Sequence, residues 1–215
     1  VLVDIDGDMA ELAASEICGA GGSAQGLGDD VTDEARMADV LAQAARTHGG
    51  IDLLVNNAGL HSDEYGQPIT TMGLAKVRRL FDVNVMGTVC CTLAAWPHMR
   101  GRAGANIVNI ASSAAHMGGS AYGDSKLAVA GLTITFAREL APIRVNAISP
   151  GLMLTETIKA ELPAATMARV KAMQLLPDDG VPQHIVDALM FLSGPQAAFI
   201  TGEVLRVTGG MAAGV

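Results

Sequence analysis

The feature that most constrains this chain is an alternation. Short apolar runs ending in Gly, Asn, Asp or Pro are followed repeatedly by longer stretches with apolar residues at helical spacing. The runs predict strands over residues 1–5, 24–27, 51–55, 106–111, 143–148 and 203–207. Between them, helices are predicted over residues 8–17, 32–48, 73–99, 120–140, 152–176 and 182–192. Thr32 is placed as the cap of the second helix, ahead of Asp33 and Glu34. Gly87 and Pro97 are the only breakers in the third, and Pro163 interrupts the Met-rich fifth. Strand–helix alternation predicts an α/β fold, a doubly wound parallel sheet with helices on both faces. No linker or repeat divides residues 1–215, so they form a single domain.

Composition narrows the function classes. Half the residues are hydrophobic but only 3% are aromatic, so the core is built from Ala, Val, Leu, Ile and Met. A formal charge of −8 argues against a nucleic-acid binder, which wants a basic face. No run of about 18 apolar residues is present, so no membrane span is expected. Cys18, Cys90 and Cys91 form neither a disulfide framework nor a spaced metal site, which points to a cytoplasmic setting without metal.

The richest stretch is Asn-Ile-Ala-Ser-Ser-Ala-Ala-His-Met-Gly-Gly-Ser-Ala-Tyr-Gly-Asp-Ser-Lys, residues 109–126. A helix opening at Tyr122 places Lys126 on the same face one turn on. A nearby ammonium favours the ionised phenol, lowering its pKa from about 10 towards neutrality. Such a pair passes protons to or from a substrate oxygen.

Four further pieces stand in order around it. Asn56-Asn57-Ala58-Gly59 closes a strand, and Asn84 lies in Asp82-Val83-Asn84-Val85. Ser112 follows the strand Ile107-Val108-Asn109-Ile110, and Pro150-Gly151 with Thr155 follows the next strand. With Phe199-Ile200-Thr201-Gly202 and Gly209-Gly210, the whole chain resembles the short-chain dehydrogenase/reductase family, which has a Rossmann-like fold.

The resemblance implies roles. Tyr122 is the general acid/base, and Lys126 lowers its pKa and binds the nicotinamide ribose. Ser112 holds the substrate oxygen, with Ser113 as the alternative, and Asn84 anchors a water in a proton relay. Asp4 holds the adenosine ribose hydroxyls, which favours NAD(H) over NADP(H), because a carboxylate repels a 2′-phosphate. The competing reading of Asp4 is a cap for the following helix. Asp30 and Val31 contact adenine, Asn57, Ala58 and Gly59 turn beside the adenosine ribose, and Pro150, Gly151 and Thr155 lie at the nicotinamide amide or pyrophosphate. The small-molecule substrate meets Ser112, the loop around His116 and Met117, the loop 60–67, and the lid 152–176 with Met153, Leu154, Met167 and Met173. Family members pair their two long helices, here 73–99 and 120–140, into homodimers or homotetramers; Cys90, Ala94, Ala128 and Leu132 are small or apolar enough for that contact.

Three departures accompany the resemblance. The family's first strand and Gly-rich turn, Thr-Gly-x-x-x-Gly-x-Gly, do not occur in the sequence. A strand–turn–helix unit of roughly thirty residues is therefore expected before Val1, its strand lying between those at 1–5 and 51–55. The 215 residues alone are expected neither to bind cofactor well nor to fold stably. The Ser112-to-Tyr122 spacing is a few residues short, and Thr208 stands where relatives often have Asp. Three functions follow: a secondary-alcohol dehydrogenase or ketoreductase, an acyl-carrier-protein ketoacyl reductase docking on Lys76, Arg78 and Arg79, or an inactive dinucleotide binder.

Overall fold

A computed structural model describes residues 1–61 and 65–211. Among these residues, six parallel strands alternate with helices. The strands are β1 (Leu2–Asp4), β2 (Gly26–Gly28), β3 (Leu53–Asn56), β4 (Asn106–Ile110), β5 (Arg144–Pro150) and β6 (Val204–Val207). The helices are α1 (Gly7–Gly19), α2 (Glu34–His48), α3 (Ile69–Met72), α4 (Leu74–Phe81), α5 (Gly87–Met99), α6 (Ala121–Glu139), α7 (Glu156–Glu161), α8 (Ala164–Lys171) and α9 (Pro182–Ser193).

The strands form two sheets, β1–β2 and β3–β4–β5–β6, all parallel. Successive residues of β4 point to opposite faces. Ile107 packs with Ala95, Met99, Phe136 and Val145 under α5 and α6, while Val108 packs with Ile148 and Leu192 under α9. A buried polar chain crosses the sheet between α5 and α6. Asn56 donates to Thr92 (3.0 Å) and to Asn109 (2.8 Å), and Asn109 donates to Thr133 (2.9 Å). The facing edges of β1 and β3 have no ladder partner among the described residues, and both line one cavity of about 860 Å³.

Local chemistry sets the boundaries. Asp33, not Thr32, caps α2 by accepting from Arg36 N, because Asp30 takes both the amide and the hydroxyl of Thr32. Gly49 ends α2 at φ 77°, the left-handed conformation glycine adopts freely. The third predicted helix continues through Gly87, and Pro97 sits inside α5. Its irregularity is instead a π-helical turn at Asp82–Met86. β5 runs on through Pro150, which pairs with Val207, rather than ending before Ser149. The lid is two short helices, α7 and α8, preceded by a Met153–Gly180 bridge.

Contrary to expectation, the run Leu74–Met99 has the length and apolarity of a membrane-crossing helix, with mean hydropathy 1.2. It packs within the fold against α2, α6 and β3. Within the chain, Cys90 and Ala94 pack against the Met37–Val40 side of α2, and Leu132 packs on the core. The apolar residues left exposed on these helices are Met86, Leu93, Leu127 and Ile134.

α1 approaches β2 so closely that a Cβ on Gly26 would stand 2.3 Å from the Ala10 carbonyl oxygen. Gly26→Ala is therefore expected to destabilise the protein by about 1–3 kcal/mol, read as a lower urea midpoint. An unchanged midpoint would mean that α1 moves away freely.

Candidate active site

Ser120 opens α6 by accepting from Gly123 N, so Tyr122 and Lys126 fall one turn apart on its first two turns. Ser112, at the C-terminal end of β4, caps the 3₁₀ turn Ser113–His116 by accepting from Ala114 N (3.2 Å). The Ser112 hydroxyl lies near enough to the Tyr122 phenol to lower its pKa, while Ser113 is buried within the turn. Of the two hydroxyls, Ser112 is thus the one that acts on the phenol.

Lys126 is 6% exposed and donates to the Ile110 carbonyl (2.8 Å). Burial brings its pKa down to about 8. The expected lowering of the Tyr122 pKa does not occur. Burial raises it, partly offset by the neighbouring Ser112 hydroxyl. Helical spacing brought the two side chains to one face, but the ammonium reaches along β4 rather than to the phenol.

Asn84 sits in the π-helical turn, 1% exposed. Its Oδ1 accepts from Leu60 N (2.7 Å), and its Nδ2 donates to Leu60 O (3.1 Å) and to Ser125 Oγ (3.0 Å). Thr88 Oγ1 donates to the Asn84 carbonyl (2.9 Å). At Gly59 a Cβ would lie 3.1 Å from Asn84 Oδ1 and 3.3 Å from Lys126 Nζ. A side chain there would press on both groups more tightly than ordinary contact. Ser125 and Thr88 did not stand out in the sequence. The signal for Ser125 was its place between Tyr122 and Lys126, where a hydroxyl reaches back to the carbonyl of residue i−3.

The expected cofactor residues gather at the C-terminal ends of parallel strands, where α/β sheets bind nucleotides. Asp4, Val31, Asn57 and Ala58 line the 860 Å³ cavity. Asp6, rather than Asp4, caps α1 by accepting from Met9 N, and Asp4 accepts only from Asp6 N through Oδ1 (2.9 Å). Asp30 is held low, first by the Thr32 amide and further by Arg79, which pairs with it at 3.3 Å. Gly151 lies against Thr208, where a Cβ would stand 2.9 Å from its Cα, and Gly151 N donates to Val207 O. Thr155 caps α7 by accepting from Ile158 N (3.1 Å), which uses a lone pair and leaves its proton.

These residues fit the two ribose ends of a nicotinamide dinucleotide. Asp4 carries a second carboxylate oxygen, and the three-donor ammonium of Lys126 lies beside the open Gly59 backbone. No cluster of three or more metal-ligating side chains occurs among the described residues.

His116 Nε2 is buried and has no hydrogen-bond partner among the described residues. Leu152, Leu154, Met167, Ala168 and Ala172 line an apolar groove of about 450 Å³, with the ion-paired Lys171 and Asp179 at its rim. Met153 faces Gly180. Residues 62–64 of the 60–67 loop lie outside the described residues.

Residues 1–212 match the family profile described as Enoyl-(Acyl carrier protein) reductase. A Bradyrhizobium diazoefficiens protein named "Probable short-chain type dehydrogenase/reductase" is 37% identical over 221 residues, covering 100% of this chain and 79% of that one. Among solved structures, a 7α-hydroxysteroid dehydrogenase complexed with NADH and 7-oxo glycochenodeoxycholic acid has a TM-score of 0.90 at 31% identity. That match covers 99% of this chain and 84% of the other. A blue fluorescent protein from a metagenomic library, in complex with NADPH, has a TM-score of 0.85 at 29% identity, over 96% of this chain and 83% of that one.

Proposed function

The chain belongs to the short-chain dehydrogenase/reductase family, and from that premise we propose that it transfers hydride between NAD(H) and a secondary alcohol or ketone. The observation that carries this reading is the Tyr122 phenol set near Ser112, with Lys126 one helical turn on and its buried ammonium held at the end of β4. The nicotinamide, when bound, supplies or accepts the hydride. Ser112 and Tyr122 then face the substrate oxygen together. Tyr122 gives its proton to that oxygen as negative charge develops, and Ser112 supplies a hydrogen bond. A phenol whose pKa is raised by burial stays protonated near neutral pH, which suits the reducing direction. Lys126 binds the nicotinamide ribose and, with a pKa of about 8, is charged at pH 7. Asn84, clamped by Leu60 and Ser125, orders the water relay behind it.

Asp4 favours NAD(H), since its free carboxylate oxygen accepts from a 2′-hydroxyl and repels a 2′-phosphate. The solved relatives hold NADH in one case and NADPH in the other, so the preference rests on Asp4. The apolar lid residues Met153, Leu154 and Met167, expected to meet the substrate, suit an apolar ketone. The three free thiols accord with the cytoplasmic setting.

The profile description favours a carrier-bound acyl substrate as the second reading. It is weakened by the engagement of Arg79 with Asp30.

The test is the fall in NADH absorbance with a panel of apolar ketones, repeated with NADPH and with Asp4→Asn. The wild type should prefer NADH, and the variant should raise the NADPH/NADH ratio of kcat/KM on the order of tenfold. An unchanged ratio removes Asp4 from cofactor selection. No turnover with any ketone removes the function.

A further inference from the structure

Ser125 has a place in the site that hydride transfer alone does not account for. It is fully buried on the first turns of α6. Its Oγ donates to the Tyr122 carbonyl (2.7 Å). A hydroxyl carries one proton, so towards Asn84 Nδ2, at 3.0 Å, Ser125 is the acceptor. The remaining Nδ2 proton goes to Leu60 O, and Oδ1 accepts from Leu60 N. Every hydrogen of the carboxamide is therefore used. Its Oδ1 end is turned to the loop where Gly59 runs beside Lys126 Nζ.

Three segments meet at this carboxamide. They are the loop after β3, the π-helical turn that carries Asn84, and the turn of α6 that carries Tyr122 and Lys126. Among the described hydrogen bonds of the Asn84 side chain, the only one that reaches α6 is the one accepted by Ser125.

We propose that Ser125 is a positioning residue: by accepting from Asn84 while donating to the Tyr122 carbonyl, it fixes the distance between the Tyr122–Lys126 turn and the Asn57–Leu60 loop. The proposal rests on the hydride-transfer reading for its kinetic consequence, but not for its structural one. A misplacement on the order of 1 Å between reacting groups lowers rates by roughly 100-fold. Removing the acceptor frees Asn84 to rotate, and with it the loop that approaches the ammonium.

The experiment compares Ser125→Ala with Thr133→Ala. Thr133 is equally buried on the same helix, where it accepts from Asn109 and donates to Val129 O, away from the site. Amide hydrogen exchange at Leu60 is read first, without cofactor or ketone. It should accelerate on the order of tenfold in Ser125→Ala and stay unchanged in Thr133→Ala. Ketone reduction is read second. In Ser125→Ala, kcat should fall roughly 10- to 100-fold with the KM for ketone within about threefold, and in Thr133→Ala kcat should hold. Ser125→Cys keeps the volume but accepts poorly, and it carries both measurements if the alanine variant does not fold. Unchanged Leu60 exchange overturns the clamp. Faster exchange with kcat within twofold of wild type, or an equal loss of kcat in Thr133→Ala, overturns the positioning role. If wild type reduces no ketone, the hydride-transfer reading fails while the Leu60 measurement still decides the clamp.

Discussion

Tyr122→Phe lowers kcat for ketone reduction by roughly 10²- to 10⁴-fold, the usual contribution of a positioned general acid. The substitution removes one oxygen and leaves the ring in its apolar surroundings, which include Leu80 and Ala121. The phenol's polar neighbour is Ser112, so the structural loss is at most one neutral hydrogen bond, about 1 kcal/mol. A near-unchanged melting temperature with a collapsed kcat is the expected pair of results, measured by thermal unfolding and NADH consumption. NADH affinity should hold within a few-fold, because Lys126 is bonded to Ile110 O rather than to the phenol. A kcat within threefold of wild type would remove Tyr122 from the proton transfer. The raised phenol pKa adds a pH signature: reduction should persist through neutral pH, since the phenol keeps its proton there.

The parallel sheet was legible because several strands end on residues that stop strands, as β3 does at Asn56 and β2 at Gly28. The meeting of Tyr122 with Ser112 was legible because both follow or open elements with clear signals, β4 and the Ser120 cap of α6. What failed was decided by competition between groups that sequence treats as equals. Thr32 and Asp33 are both good caps. Asp30 took the hydroxyl and amide of Thr32, which left the helix to Asp33. The π-helical turn at Asn84 is a change of hydrogen-bond register, and no residue type announces one. The direction of a long side chain is the least legible of all. Lys126 shares a face with Tyr122 by spacing, and it spends its ammonium on a strand carbonyl instead.

That buried ammonium makes the second large effect. Lys126→Met should abolish most turnover, by roughly 10²-fold or more, while making the protein more stable at pH 7. The sign follows from linkage. The Lys126 pKa falls from 10.5 to about 8 in the folded chain, so folding opposes its charged form. Below pH 8 the group is charged in both the folded and the unfolded states, and the folded state carries the whole penalty, about 3 kcal/mol. Between pH 8 and 10.5 the unfolded chain holds the proton that the folded chain has released, so wild-type stability rises with pH there. Methionine matches the length of the stem and carries no charge. It also leaves Ile110 O without the lysine, a loss of about 1–2 kcal/mol. The net gain is about 1–2 kcal/mol at pH 7, and it should disappear by about pH 10. Urea midpoints at both pH values read it directly. A variant less stable than wild type by the same amount at both would show that Lys126 is held there for packing. A gain at pH 7 that fades by pH 10, joined to lost turnover, would show instead that the fold keeps a destabilising charge for the chemistry it serves.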